Sequence, residues 1–446
     1  MTEKILSDDF LWGVATSAYQ IEGSPLADGS GPSIWHRFSH TPGTIYKGDT
    51  GDVACDHYNR YKADVQLIKS LGFKAYRFSI SWSRIFPYGK GRVNEKGMDF
   101  YDKLVDELLK AEIVPFATLY HWDLPAALQD LGGWTNRDVA NWFGDYADYL
   151  FQRLGDRVKY WSTINEPWVI AVMGYMYGVH APGIKDIFAA FSVIHNQLRS
   201  HSNAVRAFRE RNVNGKIGIT LSNRDHQSAS DDQKDLNAAK IANAFFNYPL
   251  FLEPIFNGSY PKEMDYLINA YMPKGYEKDL DEIKMPVDFV INYYSKGTAS
   301  YDRDDPLGFK STVNLSQDNT NAYFDFYGFL KNLQDTYDLK ETYFTIGGID
   351  CADMVENGKV HDKKRIDFLK SQKEMIVKAV KDGLKLKGCF IWSLMDNFEW
   401  SFGYSKRFRL DLVINAMTFY GCRDNIIKMM RDGSQYRPFV HVKDVS

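Results

Sequence analysis

Cysteine is scarce, with 4 in 446 residues (Cys55, Cys351, Cys389, Cys422) and no C-x-x-C spacing among them. This excludes a disulfide framework, a cysteine zinc site and a thioredoxin-like redox motif, and buried thiols remain as the reading. A basic surplus is missing too. Lys+Arg 54 against Asp+Glu 57 leave a formal net charge of −3, so no excess of cations can neutralise a phosphate backbone, and no nucleic acid partner is expected. No stretch approaches the ~20 consecutive apolar residues of a membrane span, so no membrane partner is expected either. No G-x-G-x-x-G follows the first candidate strand, which argues against a dinucleotide-binding doubly wound sheet. The opening Met1–Phe10 lacks the apolar core of a secretory signal and reads as a cytoplasmic start. No Gly/Ser- or Pro-rich linker interrupts the chain, so residues 1–446 read as one domain.

What is abundant is aromatic: 15% of the chain, with 28 Tyr and 10 Trp. Such residues fill cores, and their faces are also what sugar rings stack on. Short apolar runs rich in β-branched and aromatic residues alternate with amphipathic segments. The candidate strands are Phe10–Ala15, Ala75–Ile80, Pro115–Tyr120, Tyr160–Ile164, Lys216–Leu221, Val287–Tyr294, Tyr343–Ile346 and Cys389–Ser393. Between them the period predicts helices over Tyr61–Leu71, Phe100–Ala111, Asp138–Leu154, Ile187–Arg211, Leu236–Pro254, Ala322–Tyr337 and Arg365–Lys381. Eight strands with seven helices between them predict an α/β protein, a single-domain (β/α)8 TIM barrel whose chemistry sits at the C-terminal ends of the strands.

The residues at those ends are Gln20, Glu22, Arg77, His121, Trp122, Asn165, Glu166, Asn223, Asn292, Tyr294, Trp392, Asp396, Glu399 and Trp400. Amides, an imidazole and carboxylates interleaved with indoles suit a ligand with many hydroxyls over an apolar ring, a sugar rather than a nucleotide or a lipid. Trp82, Trp134 and Trp161 read as core, since a large indole normally buries itself. His57 beside Asp56 reads as a structural histidine, because no second ligand pair repeats the spacing. Glu166 stands apart: a carboxylate directly after a buried strand and directly before Pro167.

The segments Phe10-Leu11-Trp12-Gly13-Val14-Ala15-Thr16-Ser17-Ala18-Tyr19-Gln20-Ile21-Glu22-Gly23, Tyr76-Arg77-Phe78-Ser79-Ile80-Ser81-Trp82, Tyr120-His121-Trp122-Asp123-Leu124-Pro125, Asn165-Glu166-Pro167-Trp168 and Trp392-Ser393-Leu394-Met395-Asp396-Asn397-Phe398-Glu399-Trp400 resemble glycoside hydrolase family one. The resemblance implies a retaining β-glycosidase acting on β-glucosides, β-galactosides or their 6-phospho forms. It implies Glu166 as general acid/base, with Asn165 holding the substrate 2-hydroxyl. Gln20, His121, Trp122, Asn292, Tyr294, Trp392, Glu399 and Trp400 would line the glycone subsite, with Trp392 as stacking floor and Glu399 on the 4- and 6-hydroxyls. A carboxylate at Glu399 would repel a 6-phosphate, which favours the unphosphorylated sugar. The implied partner is a small-molecule β-glycoside or oligosaccharide, the implied assembly a monomer or small homo-oligomer, and no cofactor or metal is implied.

Retaining hydrolysis uses two carboxyl groups about 5–5.5 Å apart, and here the chain departs from the family. The strand that carries the family's nucleophile reads Tyr343-Phe344-Thr345-Ile346-Gly347-Gly348, placing Ile346 at the nucleophile position. Glu356-Asn357-Gly358 spells the family's triplet further on, but that register would delete the following loop and leave the polar stretch 350–353 as a strand. Asp350 and Asp353 would lie beyond the strand mouth. Arg77, beside the nucleophile in the family, is expected to face an apolar side chain without its anion. A second departure is the tail 409–446, which resembles an internal segment of nucleotide-sugar epimerases without their dinucleotide fingerprint. Asn415–Met430 is expected to form the helix that covers the eighth strand, with weaker order after Arg409.

Overall fold

In the computed structural model the described residues are 6–7, 9–313, 324–347, 355–356, 359–360 and 363–404. The apolar runs pair in parallel as β1 (Leu11–Ala15), β2 (Ala75–Ser79), β3 (Val114–Tyr120), β4 (Tyr160–Asn165), β5 (Lys216–Ser228) and β6 (Phe289–Tyr301). β7 (Phe309–Val313) returns antiparallel on β6, and β8 (Glu341–Ile346) and β9 (Leu386–Trp392) complete the set. β6 pairs with both β5 and β8, and β9 with both β8 and β1, so the eight parallel strands close into a barrel. Closure removes the unpaired edges that an open sheet would present.

Along each strand, side chains alternate between the lumen and the helical layer. The lumen is filled by Ala15, Ala75, Phe116, Phe289, Ile291, Tyr343 and Phe390. Phe116 sits at its centre, with ring centroids 5.1–5.3 Å from those of Phe390, Phe289 and Tyr343. That plug makes the barrel a packed core rather than a pore, and it pushes any ligand up to the strand ends. Gly13 belongs to the same arrangement, since a Cβ there would lie 2.7 Å from the Phe390 ring.

The outer layer comprises α1 (His57–Ser70), α2 (Glu95–Lys110), α3 (Val139–Leu154), α4 (Ile187–Glu210), α5 (Gln233–Phe246), α6 (Pro249–Asn257), α7 (Phe324–Thr336) and α8 (Lys363–Lys381). The single helix expected over Leu236–Pro254 is two helices. The chain leaves helical geometry at Asn247 (φ −112°, ψ −176°), and Pro249 starts the second helix, where its missing N–H costs nothing. β5 and β6 run past their expected ends into the β6–β7 hairpin, where the run Ser295–Ser300 is too polar for a hydrophobic pattern to reveal. Trp82, Trp134 and Trp161 are fully buried, as expected, and His57 is held by Asp64 (Nδ1 to Oδ2, 2.7 Å).

Val355–Glu356 pairs with Lys359–Val360 in a separate two-stranded ladder, outside the barrel sheet in which β8 lies. The expectations for Asp350, Asp353 and the tail 409–446, with its helix Asn415–Met430, fall outside the described residues. Among the described residues, no helix is long and apolar enough to cross a membrane.

Candidate active site

Asn165, the last residue of β4, is fully buried and uses every polar group of its side chain. Its Oδ1 accepts from Arg77 Nη1 at 3.0 Å, and its Nδ2 donates to Glu166 Oε2 at 2.9 Å and to His121 Nε2 at 3.0 Å. An amide NH2 can only donate, so His121 Nε2 is an acceptor and its ring proton sits on Nδ1. Burial, reinforced by the Arg77 charge, holds the His121 pKa well below its ordinary value. The imidazole is therefore neutral, and its Nδ1 is buried without a protein partner.

Glu166 is placed by the turn that ends β4. Its φ of +48° is left-handed, its N–H donates to Thr220 O at 2.8 Å, and Pro167 opens the next helix. Trp122 (φ +82°) and Trp400 (φ +51°) share that uncommon conformation. For non-glycine residues this costs of order 1–3 kcal/mol each, and it collects where function over-determines the backbone.

The indoles form one connected wall. Trp122 Nε1 donates to Asn165 O at 2.8 Å, and its ring lies 4.5 Å from that of Trp400. The His121 ring lies 5.5 Å from Trp392 and 6.1 Å from Trp400. Trp35 backs Trp400 at 4.6 Å and His180 at 5.3 Å. Opposite, Gln20 Nε2 donates to Asn397 Oδ1 (2.8 Å), Phe398 O (3.0 Å) and Glu399 Oε2 (3.3 Å), while Ser17 Oγ donates to Gln20 Oε1 at 2.6 Å. These bonds tie the first and last strands of the barrel together at the Glu399 carboxylate. A cavity of about 880 Å³ is lined by residues including Phe38, Met173, His180 and Phe402. None of the polar site residues lines it, so its size does not mark the chemistry.

Gln20, Arg77, His121, Trp122, Asn165, Glu166, Trp392, Glu399 and Trp400 are thus brought together. Asn292 and Tyr294 are not. They share the helix-facing side of β6: Asn223 Nδ2 donates to Asn292 Oδ1 at 3.1 Å, and the Tyr294 ring packs on Phe329 at 5.0 Å. The residue that reaches the lumen is Tyr293, whose hydroxyl accepts from Arg77 Nη2 at 2.6 Å. Glu22, another strand-end candidate, is committed to buried Arg84 (3.0 Å) and Tyr101 (2.6 Å).

Ile346 follows the same alternation. On β8, Tyr343 and Thr345 face the lumen, whereas Phe344 and Ile346 pack in the outer layer, Phe344 against Phe326 at 4.0 Å. The expectation that Arg77 faces an apolar side chain is corrected. Its guanidinium meets Asn165, Tyr293 and Thr345 Oγ1 (3.5 Å), and the Tyr293, Phe390 and Trp392 rings lie 5.5–6.0 Å away. Among the described residues, no carboxylate pairs with Arg77, and its Nε is buried without a partner.

A model of glycosyl hydrolase family 1 matches residues 2–434. The chain belongs to that family. Among its family 1 relatives, it is 52% identical over 412 residues to a 1,4-beta-D-glucan glucohydrolase of Thermotoga neapolitana, covering 91% of this chain and 97% of the relative. It is 52% identical over 415 residues to beta-glucosidase A of Thermotoga maritima, covering 92% of this chain and 93% of the relative. The solved family 1 β-glucosidase from Thermotoga maritima superposes with a TM-score of 0.86 at 51% identity, covering 90% of this chain and 92% of that one.

Proposed function

We propose that this chain is a hydrolase-type pocket for terminal β-D-glucosides, with Glu166 as general acid/base. The observation that carries this reading is Asn165, whose three side-chain bonds fix Glu166, His121 and Arg77 as one rigid unit at the strand ends. Its β-glucosidase relatives support glucose as the glycone. The sugar lies on Trp392, with its 2-hydroxyl toward Asn165 and its 4- and 6-hydroxyls toward Gln20 and Glu399. His121 Nδ1–H is a ready donor to a further hydroxyl. As the C1–O bond breaks, its electron pair stays on the departing oxygen, which takes the Glu166 proton. C1 is attacked from the opposite face, where Arg77 supplies positive charge. Ile346 cannot attack, so the role is left to a carboxylate outside the described residues or to an added anion.

The test is hydrolysis of an aryl β-glucoside with and without azide, the product anomer being read by NMR. Azide-dependent release of α-glucosyl azide means that the pocket is complete except for its nucleophile. Azide-independent release of β-glucose means that a carboxylate of the chain itself reaches C1. No release under either condition, with retained binding of a glucose-shaped inhibitor, makes the barrel a glycoside binder without turnover.

A further inference from the structure

His36, His40 and Asp52 lie outside the strand-end network, and no motif in the sequence calls for a metal, yet their donor atoms converge. Helix Ile34–Ser39 carries His36, and His40 follows at its C-cap, one turn on and on the same side. The two rings are 4.3 Å apart. The loop that leaves the helix returns to set Asp52 against both, with Oδ2 3.0 Å from His40 Nε2 and Oδ1 3.5 Å from His36 Nδ1. All three donor atoms lie within 4.8 Å of one another.

Three details make this more than a chance cluster. His40 Nδ1 is 2.7 Å from the His36 carbonyl oxygen, which only accepts, so Nδ1 carries the ring proton and Nε2 is presented to Asp52. Metal-binding histidines use the same division, one nitrogen anchored on a carbonyl and the other offered to the ion. Second, His36 Nδ1 and Asp52 Oδ1 are buried atoms without hydrogen-bond partners that face each other across the 3.5 Å gap. A tetrahedral ion with ligand bonds near 2.1 Å spaces its donors by roughly 3.4 Å, the size of that gap. Third, both sides are anchored. The Ser24 N–H donates to the Asp52 carbonyl at 2.7 Å, and the His36 N–H donates to Ser33 Oγ at 3.1 Å.

We propose that His36, His40 and Asp52 form a site for a divalent transition metal, completed by water. Two imidazoles and one carboxylate suit Zn²⁺, Ni²⁺ or Cu²⁺ and disfavour Mg²⁺ and Ca²⁺, which prefer all-oxygen shells. The bound ion ties the loop carrying Asp52 to the helix that carries Trp35, and Trp35 backs Trp400 at 4.6 Å. The site is thus a clamp on the outer wall of the sugar pocket, remote from the Glu166 chemistry.

The experiment uses the tag-free full chain, stripped with a chelator and titrated with ZnCl2 by calorimetry and with Co²⁺ by visible absorption. One equivalent is expected to bind with a micromolar dissociation constant, to give the intense band of four-coordinate Co²⁺, and to raise Tm where equimolar MgCl2 does not. His40→Ala and Asp52→Asn are each expected to weaken binding at least tenfold. Equal Zn²⁺ affinity in the wild type and both variants, or no saturable binding, overturns the proposal. If His40→Ala fails to fold, Asp52→Asn decides alone, because the amide preserves shape and removes the charge. No readout involves glycoside turnover, so the result stands apart from the proposed function.

Discussion

The ends of β3 and β4 and the end of β8 face one lumen but are built in opposite ways. On the first side, Asn165 bonds to His121, Glu166 and Arg77 at once. On the second, the polar group at the lumen is the Thr345 hydroxyl, 3.5 Å from Arg77, and Ile346 is turned into the helical layer. Arg77 stands between them, bonded on one side to the Asn165 amide and on the other to neutral hydroxyls. The Glu166 side and the β8 side rest on different strands and different bonds, so one can be organised independently of the other.

The largest effect comes from making the two sides alike. Ile346→Glu is expected to raise azide-independent hydrolysis of an aryl β-glucoside by on the order of 10⁴ or more, the scale on which a catalytic nucleophile acts. The driving force is electrostatic: a carboxylate against Phe344 has no partner, whereas Arg77 offers one in the lumen. If Thr345→Glu gains activity and Ile346→Glu does not, β8 keeps the faces seen here, and position 345 is the one that reaches C1.

Removing the organised side is the next largest. Glu166→Gln is expected to lower azide-supported turnover of a glucoside with a poor leaving group by about 10²–10⁴, with little loss for an activated aryl leaving group. Equal losses for both substrates would remove Glu166 from the acid role. Asn165→Ala strips partners from three side chains and is expected to cost about 1–3 kcal/mol in urea unfolding. It should also raise KM. An unchanged midpoint would show that the network does not hold the wall.

The last effect is a pH dependence. Burial, with repulsion from Glu22, pushes the Asp123 carboxyl up to about 7. Between the ordinary carboxylate range and pH 7 the folded chain holds a proton that the unfolded chain releases, so stability is full in acid and declines as pH rises through about 7. The slope contributed is up to about 1.4 kcal/mol per pH unit. Asp123→Asn is expected to flatten that part of the profile, measured as urea midpoints from pH 4 to 8, and an unaltered slope would place the titration elsewhere.

The eight strands were legible because each is a short apolar run between helical periods, and the lumen that they enclose follows from their alternation. The polar network was legible too, since Gln20, His121, Asn165, Glu166 and Glu399 each sit just past such a run. Tyr293 was not. In the run Asn292-Tyr293-Tyr294 the choice of face depends on parity along a strand that extends to Tyr301, and a pattern ending at Tyr294 does not fix it. Ile346 escaped for the same reason, since sequence position does not say which way a strand's last residue turns. His36 and His40 gave no signal because their third donor, Asp52, comes from a loop whose return no local pattern encodes.

Trp35, Trp122 and Trp400 have consequences for light as well as for sugar. Ring centroids 4.5 and 4.6 Å apart are close enough for their excited states to mix, so this wall should give an exciton couplet in the circular dichroism of the indole bands. A ligand seated on Trp392, or an ion pulling on the helix that bears Trp35, would each perturb that couplet, making the pocket its own label-free reporter of occupancy.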